Sequence, residues 1–276
     1  MVTRISSTFA SLRRKGIAAY IPYVCVGDPS IDFSKKLIHN LINAGADILE
    51  IGIPFSDPIA DGPLVQGAMM RSLANGFKMK HLFELVSDVR VFENNKPIVV
   101  MSYLNPIIQF GIERFCELAS QAGVDGLLLV DLPLEESEEI DKIVRSNDLD
   151  IIRIIAPTSG DERIDRLLEN SSGFVYVVSV AGVTGPREKL PQTVFSFLKT
   201  VKARSRVPVV LGFGISGPDQ VALAVKAGAD GIVEGSNLIK LYNSLGKSDS
   251  SLPILASHVR ELKSAMVLSE TNAQGI

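Results

Sequence analysis

Short apolar runs rich in valine and isoleucine alternate along the chain with longer polar stretches that have helical periodicity. Strands that are apolar along their whole length and separated by helices are typical of a parallel sheet covered by helices. The eight apolar runs are residues 18–24, 47–53, 97–102, 125–131, 151–155, 174–178, 207–211 and 230–234. Eight such strand–helix units predict a closed (β/α)8 barrel, the TIM barrel.

A repeated tetrapeptide supports this prediction. Its three copies are Ala44-Gly45-Ala46-Asp47, Ala122-Gly123-Val124-Asp125 and Ala227-Gly228-Ala229-Asp230. Each copy precedes a predicted strand, and its glycine can take the left-handed conformation that ends a helix. One supersecondary unit is therefore used repeatedly, with no linker-like segment between copies.

We predict a single domain over residues 1–276, because α/β barrels of roughly 250 residues fold as one unit. Within residues 1–16, helical spacing over 5–15 predicts an extra helix that caps the bottom of the barrel. Asp28-Pro29 is typical of a helix N-cap followed by proline at the first helical position. Residues 252–268 predict a closing helix, and residues 269–276 a frayed tail.

Composition and charge narrow the function. Hydrophobic residues make up 46% of the chain, which allows a sizeable core. The net charge of −3 argues against a nucleic-acid partner. Two isolated cysteines, Cys25 and Cys116, suit a reducing cytosol, so we expect a cytoplasmic protein. The three histidines are far apart, and we expect no metal site.

Membrane and export signals are also weak. No run approaches the roughly 18 apolar residues that a membrane helix needs, and we expect no membrane partner. Residues 17–26 follow three basic residues, as in a signal peptide. Pro22 interrupts this stretch, and no small-residue cleavage site follows it. We interpret it as the first strand.

Two carboxylates stand near the end of the second predicted strand. Alternation places Glu50 on the same face as Ile48 and Gly52, and burial in the barrel interior would raise its pKa toward the range useful for acid–base catalysis. The alternative is a buried glutamate with a structural partner. Asp61 lies in the following loop, where a catalytic role competes with ordinary turn chemistry. Tyr176 is a third candidate, with core packing as its alternative.

Glycine-bearing loops follow the last two strands, where this fold usually binds phosphate. They are Gly212-Phe213-Gly214-Ile215-Ser216 and Gly235-Ser236-Asn237, and Thr184-Gly185 after strand six could add donors. The alternative is tight turns without a ligand. Residues 212–217 also match the G-x-G-x-x-G pattern of dinucleotide folds. Six strand–helix units precede this match and only about 40 residues follow Glu234, too few for that fold, so we reject it.

The residues 49–62, LEIGIPFSDPIADG, resemble without a break the signature motif of the alpha subunit of tryptophan synthase. Further motifs of that family follow in order, and the resemblance extends from about residue 9 to 268. They are Tyr23 with Gly27-Asp28-Pro29, Gly182-Val183-Thr184-Gly185, Gly212-Phe213-Gly214-Ile215-Ser216 and Gly235-Ser236.

The resemblance implies cleavage of indole-3-glycerol phosphate to indole and glyceraldehyde 3-phosphate. It implies that Glu50 is the acid–base residue, that Asp61 accepts the indole N–H, and that Tyr176 borders Glu50. The implied indole pocket consists of Tyr23, Met101, Leu128 and Val130. The implied phosphate site consists of Thr184, Gly185, Phe213, Gly214, Gly235 and Ser236.

The resemblance also implies a partner, a beta subunit that carries pyridoxal phosphate and receives indole through a tunnel in an alpha2beta2 heterotetramer. It implies no cofactor in this chain. The residues expected to face the partner are Pro54 and Asp57 in one loop and Tyr103 and Asn105 in another region.

Two positions depart from the family's common pattern. Cys25 stands where threonine is usual, and Glu234 stands where small or apolar residues are more common. A carboxylate aimed at a phosphate would weaken binding, so alternation predicts that Glu234 points away while Gly235 faces inward.

Two other functions stay open from the residues alone. The chain could be mainly an interaction protein that activates the beta subunit, although both carboxylates are present. It could be another phosphate-binding barrel, such as an epimerase or a relative of indole-glycerol phosphate synthase. An epimerase would usually show metal-binding His and Asp residues, which are not placed so here. A relative of indole-glycerol phosphate synthase would show a lysine at a strand end, and none lies within the eight predicted strands.

Overall fold

Eight parallel strands close into a barrel in chain order in the computed structural model, which describes residues 2–178, 191–212, 214–215 and 217–267. The strands are β1 Ala19–Cys25, β2 Leu49–Gly52, β3 Ile98–Ser102, β4 Gly126–Leu129, β5 Asp150–Ile155, β6 Val175–Val178, β7 Val209–Gly212 and β8 Gly231–Glu234. Each strand overlaps one of the eight apolar runs, so the predicted (β/α)8 fold is confirmed. The G-x-G-x-x-G match therefore follows the seventh strand of a closed barrel.

Helices fill the connections between the strands. They are α1 Arg4–Arg14, α2 Ile31–Ala44, α3 Pro63–Ala74, α4 Met79–Phe92, α5 Leu104–Phe110, α6 Ile112–Ala122, α7 Glu138–Ser146, α8 Asp161–Glu169, α9 Gln192–Arg204, α10 Pro218–Lys226, α11 Ser236–Ser244 and α12 Leu252–Ser264. Across the described part of the chain, no helix combines the length and apolar character needed to cross a membrane.

The extra helix α1 lies against the amino-terminal ends of the strands. Arg4 pairs with Asp125 at 2.9 Å and Arg13 with Asp230 at 3.2 Å, and both aspartates immediately precede a strand. The Phe9 ring contacts Phe174 with centroids 5.9 Å apart. Since α1 covers this end of the barrel, the carboxyl ends of the strands are the end available for a site.

The repeated Gly-x-Asp segment has the same structure at each copy. Its glycines have positive φ values of 113° at Gly45, 101° at Gly123 and 108° at Gly228. Each aspartate accepts a 2.7 Å hydrogen bond from a backbone N–H of the preceding strand: Asp47 from Tyr20, Asp125 from Ile98 and Asp230 from Val209. The repeat thus ends a helix and links neighbouring strands at the amino-terminal end of the barrel, which α1 covers.

The prediction that Asp28 caps a helix is wrong. Ser30 is the N-cap of α2, and its hydroxyl accepts the Phe33 N–H at 3.1 Å. Asp28 lies in a cis Asp28–Pro29 step and is buried. Its carboxylate accepts hydrogen bonds from Arg71 at 2.7 and 2.8 Å and from the Tyr242 hydroxyl, so it is used for a tertiary contact instead.

The closing helix is shorter than predicted. The structure ends α12 at Ser264 rather than continuing toward residue 268. Val267 forms an isolated antiparallel bridge with Ile17, and Ala18 donates its N–H to the Met266 carbonyl at 2.8 Å. These extended contacts are incompatible with further helix. The predicted tail lies outside the described residues.

Candidate active site

A cavity at the carboxyl ends of the strands contains both candidate carboxylates. Glu50 lies on β2, and Asp61 lies in the loop between β2 and α3. The other predicted site residues that line this cavity are Tyr23, Met101, Leu128, Val130, Tyr176, Gly214, Gly235 and Ser236. Three more predicted residues, Thr184, Gly185 and Phe213, lie outside the described residues.

Strand register explains why these side chains meet. Paired residues on neighbouring parallel strands point to the same face of the sheet. The relevant pairs are Tyr23 with Glu50, Gly52 with Met101, Met101 with Leu128 and Ile154 with Tyr176. In a closed barrel this shared face is the interior, so residues from β1 to β6 converge on one cavity.

Glu50 is almost fully buried, with 1% of its surface exposed. Burial, and then the nearby charge of Asp61, raises the pKa of Glu50 to about 8. Its Oε2 atom has no hydrogen-bond partner among the described residues. A group of this kind is protonated at neutral pH and is available to a ligand in the cavity.

Asp61 combines a turn with a buried side chain. Its backbone N–H donates to the Pro58 carbonyl at 3.1 Å, as turn chemistry predicts. Its carboxylate, however, is 2% exposed and accepts a 2.9 Å hydrogen bond from the Tyr103 hydroxyl. Burial raises the pKa of Asp61 to about 6, and the Tyr103 hydrogen bond opposes this rise. A turn role alone does not explain an aspartate held inside the cavity beside Glu50.

The residues expected to face a partner divide into two groups. Asp57 and Asn105 are exposed, whereas Pro54 and Tyr103 are buried. Tyr103 is 1% exposed, and its hydroxyl accepts the Ala60 N–H at 3.0 Å while donating to Asp61. The assignment of these two regions to a partner contact stays a prediction, with Asp57 and Asn105 as its exposed positions. The Tyr103 side chain holds the loop that carries Asp61.

Two glycines leave room for the cavity tyrosines. A Cβ atom at Gly52 would lie 2.2 Å from the Tyr23 hydroxyl, and one at Gly212 would lie 1.9 Å from Tyr176 Cε1. Real Cβ atoms do not approach so closely. Glycine at these strand ends is thus required by packing. Burial, followed by the charges of Glu50 and Asp61, raises the pKa of Tyr176 well above its usual value, so its hydroxyl stays protonated.

The other end of the cavity adjoins a helix N-terminus. Gly235 and Ser236 line the cavity at the point where β8 passes into α11. The first backbone N–H groups of a helix have no intrahelical acceptor and favour an anion. Gly214 lines the same region with a positive φ of 80°. These groups could hold a phosphate.

Glu234 points away from this end, as alternation predicted. It does not line the cavity, whereas its neighbours Val233 and Gly235 do. Its buried carboxylate accepts hydrogen bonds from Tyr20 at 2.5 Å and Asn237 at 2.6 Å. His258 Nε2 lies 2.7 Å from Glu234 Oε1. The prediction for Glu234 is confirmed.

Sequence reasoning missed several lining residues: Val65, Ile154, Ile215 and Val233. Continued strand alternation identifies Ile154, because Ile152 pairs with Leu128 and Ile154 is two residues further along β5. Val65 belongs to α3, and its position depends on how that helix packs. No local signal in the sequence assigns Tyr103 to Asp61, since the contact joins two loops.

A sequence model of the tryptophan synthase alpha chain family matches residues 9–267. The tryptophan synthase alpha chain of Carboxydothermus hydrogenoformans is 43% identical over 95% of this chain and 99% of its own length. That of Arabidopsis thaliana is 38% identical over 95% of both chains.

Solved structures agree with the sequence relatives. A crystal structure of the alpha chain from Legionella pneumophila superposes with a TM-score of 0.88 at 34% identity, covering 96% of this chain and 98% of that one. A tryptophan synthase complex from Pyrococcus furiosus gives a TM-score of 0.82 at 36% identity, covering 90% of this chain and 98% of that one. The family match extends over nearly the whole chain, and the barrel and its cavity agree with it: the chain belongs to the tryptophan synthase alpha chain family.

Proposed function

We propose that Glu50 and Asp61 carry out the reaction of this family, the cleavage of indole-3-glycerol phosphate to indole and glyceraldehyde 3-phosphate. The observation that supports these roles is the separation of two pKa values in one cavity. The pKa of Glu50 is raised to about 8 and that of Asp61 to about 6. At neutral pH the first group is mainly a proton donor and the second mainly a carboxylate, as acid and base roles require.

Glu50 would deliver the proton that the carbon–carbon bond cleavage needs. In the proposed mechanism its carboxyl proton goes to indole C3, which places positive charge on the ring. The bond from C3 to the glycerol side chain then breaks, and its electron pair restores the aromatic indole. The glycerol hydroxyl loses its proton and becomes the aldehyde. Glu50, now ionised, is the residue in the cavity suited to accept that proton.

Asp61 would act at the other end of the indole ring. Its ionised carboxylate accepts the indole N–H and stabilises the positive charge that develops at nitrogen as C3 is protonated. The Tyr103 hydroxyl, 2.9 Å away, holds this carboxylate in place and favours its ionised form. A buried site strengthens this interaction because little water competes for the charge.

The apolar walls and the helix terminus would orient the substrate. Met101, Leu128 and Val130 line the cavity with Tyr23, and we assign them to the indole ring. We assign Gly214, Gly235 and Ser236 to the phosphate, since the N-terminus of α11 offers unpaired N–H groups. Tyr176 would contact the substrate beside Glu50 through its protonated hydroxyl.

The alpha family works with a beta subunit, and we propose that this chain passes indole to such a partner in an alpha2beta2 heterotetramer. The surface around the predicted loops supports this assignment. Asp57 and Asn105 are exposed beside two exposed apolar side chains, Ile59 at 80% and Ile108 at 53%. A partner chain seated on these loops would remove both apolar side chains from water. Pyridoxal phosphate would belong to the partner.

Turnover of indole-3-glycerol phosphate by Glu50→Gln and Asp61→Asn, measured with and without a beta subunit, tests the assigned roles. Glutamine cannot give up a proton, so Glu50→Gln should abolish indole release. Asp61→Asn should lose most of kcat. Unchanged thermal unfolding and beta-subunit binding would show that each variant is folded. Near-normal turnover by Glu50→Gln would refute its role, and an unchanged rate for Asp61→Asn would return Asp61 to turn chemistry.

The same assay addresses the alternative of an interaction protein with weak chemistry of its own. Two carboxylates with separated pKa values in one cavity favour an enzyme over that alternative. If the wild-type chain releases no indole either alone or with the beta subunit, yet still raises the activity of the beta subunit, the interaction role is correct.

A further inference from the structure

The buried Glu234 and the partly buried His258 form a pair next to the proposed phosphate site, because Glu234 immediately precedes Gly235 and Ser236. We propose that the two are positioning residues for substrate: Glu234 anchors the first turn of α11, and the positive charge of His258 cancels the Glu234 charge that would otherwise repel the phosphate. This inference rests on the proposed function, because it requires phosphate at the N-terminus of α11.

The contacts show that Glu234 joins three elements. It is the last residue of β8, is 1% exposed, and is followed at once by Gly235 and Ser236. Its carboxylate accepts the Tyr20 hydroxyl from β1 at 2.5 Å and the Asn237 side-chain amide from α11 at 2.6 Å. The Asn237 contact fixes the first turn of α11, where Gly235 provides no side-chain cap. Glu234 therefore supplies an anchor for the turn that carries the proposed phosphate ligands.

The charge of Glu234 creates an electrostatic problem that His258 solves. A carboxylate one residue from the proposed phosphate ligands repels a phosphate dianion through a weakly polar interior. His258 on α12 lies 2.7 Å from Glu234 Oε1, and a protonated imidazole there makes the pair neutral. The hydrogen bond with Glu234 raises the pKa of His258, while its partial burial opposes the rise.

The surroundings of His258 leave Glu234 as its main partner. Among the described residues, the ionisable groups that act on His258 are Glu234 from β8 and Glu261 from its own helix. Tyr20 from β1 reaches the pair through Glu234, and its pKa is raised well above the usual value, so it stays a neutral donor. With His258 protonated, the pair is one anion and one cation; Tyr20 and Asn237 are neutral donors to Glu234, and the Glu261 carboxylate acts on His258 from its own helix.

Inhibition by the two reaction products separates a phosphate effect from a general one. Glyceraldehyde 3-phosphate carries the phosphate, whereas indole does not. His258→Gln keeps an N–H donor but removes the charge. We expect it to raise the inhibition constant of glyceraldehyde 3-phosphate roughly three- to tenfold. Inhibition by indole should not change, and the KM for substrate should rise while kcat holds. Glu234→Gln removes the anion and should bind glyceraldehyde 3-phosphate at least as well as wild type.

The double variant Glu234→Gln with His258→Gln should restore near wild-type affinity, because both charges are gone and amide groups can replace the hydrogen bonds. His39→Gln is a matched control. His39 lies on α2 and its Nε2 atom is 2.8 Å from Asp88 on α4. Neither residue lines the cavity. This control should leave both inhibition constants unchanged. Since the single variants are expected to act in opposite directions, each tests the inference even if the other fails to fold.

A merely structural role predicts a different pattern. Both single variants would then bind glyceraldehyde 3-phosphate more weakly, or each would bind indole and glyceraldehyde 3-phosphate more weakly by the same factor. The double variant would bind glyceraldehyde 3-phosphate more weakly than either single variant. Any of these results overturns the inference. Failure of the proposed function is a separate outcome, since wild type would then release no indole and would not bind glyceraldehyde 3-phosphate.

Discussion

Replacing Tyr103 by phenylalanine should move the acid limb of the pH profile to higher pH. In the proposed mechanism the active form has Asp61 ionised and Glu50 protonated. The value of kcat/KM should therefore fall below about pH 6 and above about pH 8. The Tyr103 hydrogen bond stabilises the ionised Asp61 and lowers its pKa, so its removal raises that pKa. A higher pH is then needed to ionise Asp61.

The size of the shift follows from the energy of the hydrogen bond. A hydrogen bond to a charged group contributes about 1.5 kcal/mol or more, and one pKa unit corresponds to about 1.4 kcal/mol. The acid limb should therefore move up by roughly one pH unit. At pH 6 this lowers kcat/KM roughly fivefold, because the ionised fraction of Asp61 falls from about a half to about a tenth. The alkaline limb, set by Glu50, should stay where it is.

The assay compares kcat/KM from pH 5 to 9 for wild type and Tyr103→Phe. The substrate phosphate titrates in the same acid range, but it does so equally for both enzymes, so the difference between the profiles reports Asp61. Tyr242→Phe is a matched control, because it removes a tyrosine hydroxyl from a different buried aspartate, Asp28. An acid limb that is unmoved in Tyr103→Phe, or moved equally in Tyr242→Phe, would refute the reasoning.

Two further predictions concern stability. Gly212→Ala would place a Cβ 1.9 Å from the Tyr176 ring, so we expect urea unfolding to show a loss of roughly 1–3 kcal/mol together with lower kcat. Gly160→Ala meets no atom within 4 Å and should be nearly neutral; equal losses for both would contradict the packing argument. Asp28→Ala leaves the Arg71 guanidinium without its carboxylate and should cost about 3 kcal/mol, and a loss as small as that of a surface variant would exclude a stabilising pair.

The order and number of the strands could be predicted from the sequence because both depend on local pattern. The strands are buried on both faces and therefore mainly apolar, which distinguishes them from the amphipathic helices around them. Asp28 shows where local pattern fails. Asp-Pro has the same appearance at a helix start as at a buried cis step, and only the distant Arg71 and Tyr242 decide between the two.

In the site too, local pattern predicted some features, whereas contacts between distant segments determined others. Alternation along β2 placed Glu50 on one face with Ile48 and Gly52, and the unbroken motif at 49–62 resembled a family with a carboxylate at both positions. The environment of Asp61 could not be predicted, because Tyr103 comes from the loop after another strand and is 42 positions away. The position of the Tyr103 hydroxyl and the exposure of Asp61 depend on how the two loops pack, which no single segment of the sequence specifies.

The coupling between the two carboxylates explains how one residue can serve as acid and then as base. The Tyr103 hydroxyl favours the ionised Asp61, and the charge of Asp61 helps to keep Glu50 protonated. In the proposed mechanism Glu50 gives its proton to the indole ring, which leaves two negative charges in a buried cavity. This repulsion strengthens Glu50 as a base at the moment when the glycerol hydroxyl must lose its proton. Taking up that proton returns the cavity to its starting charge, so the arrangement that prepares the acid also regenerates it.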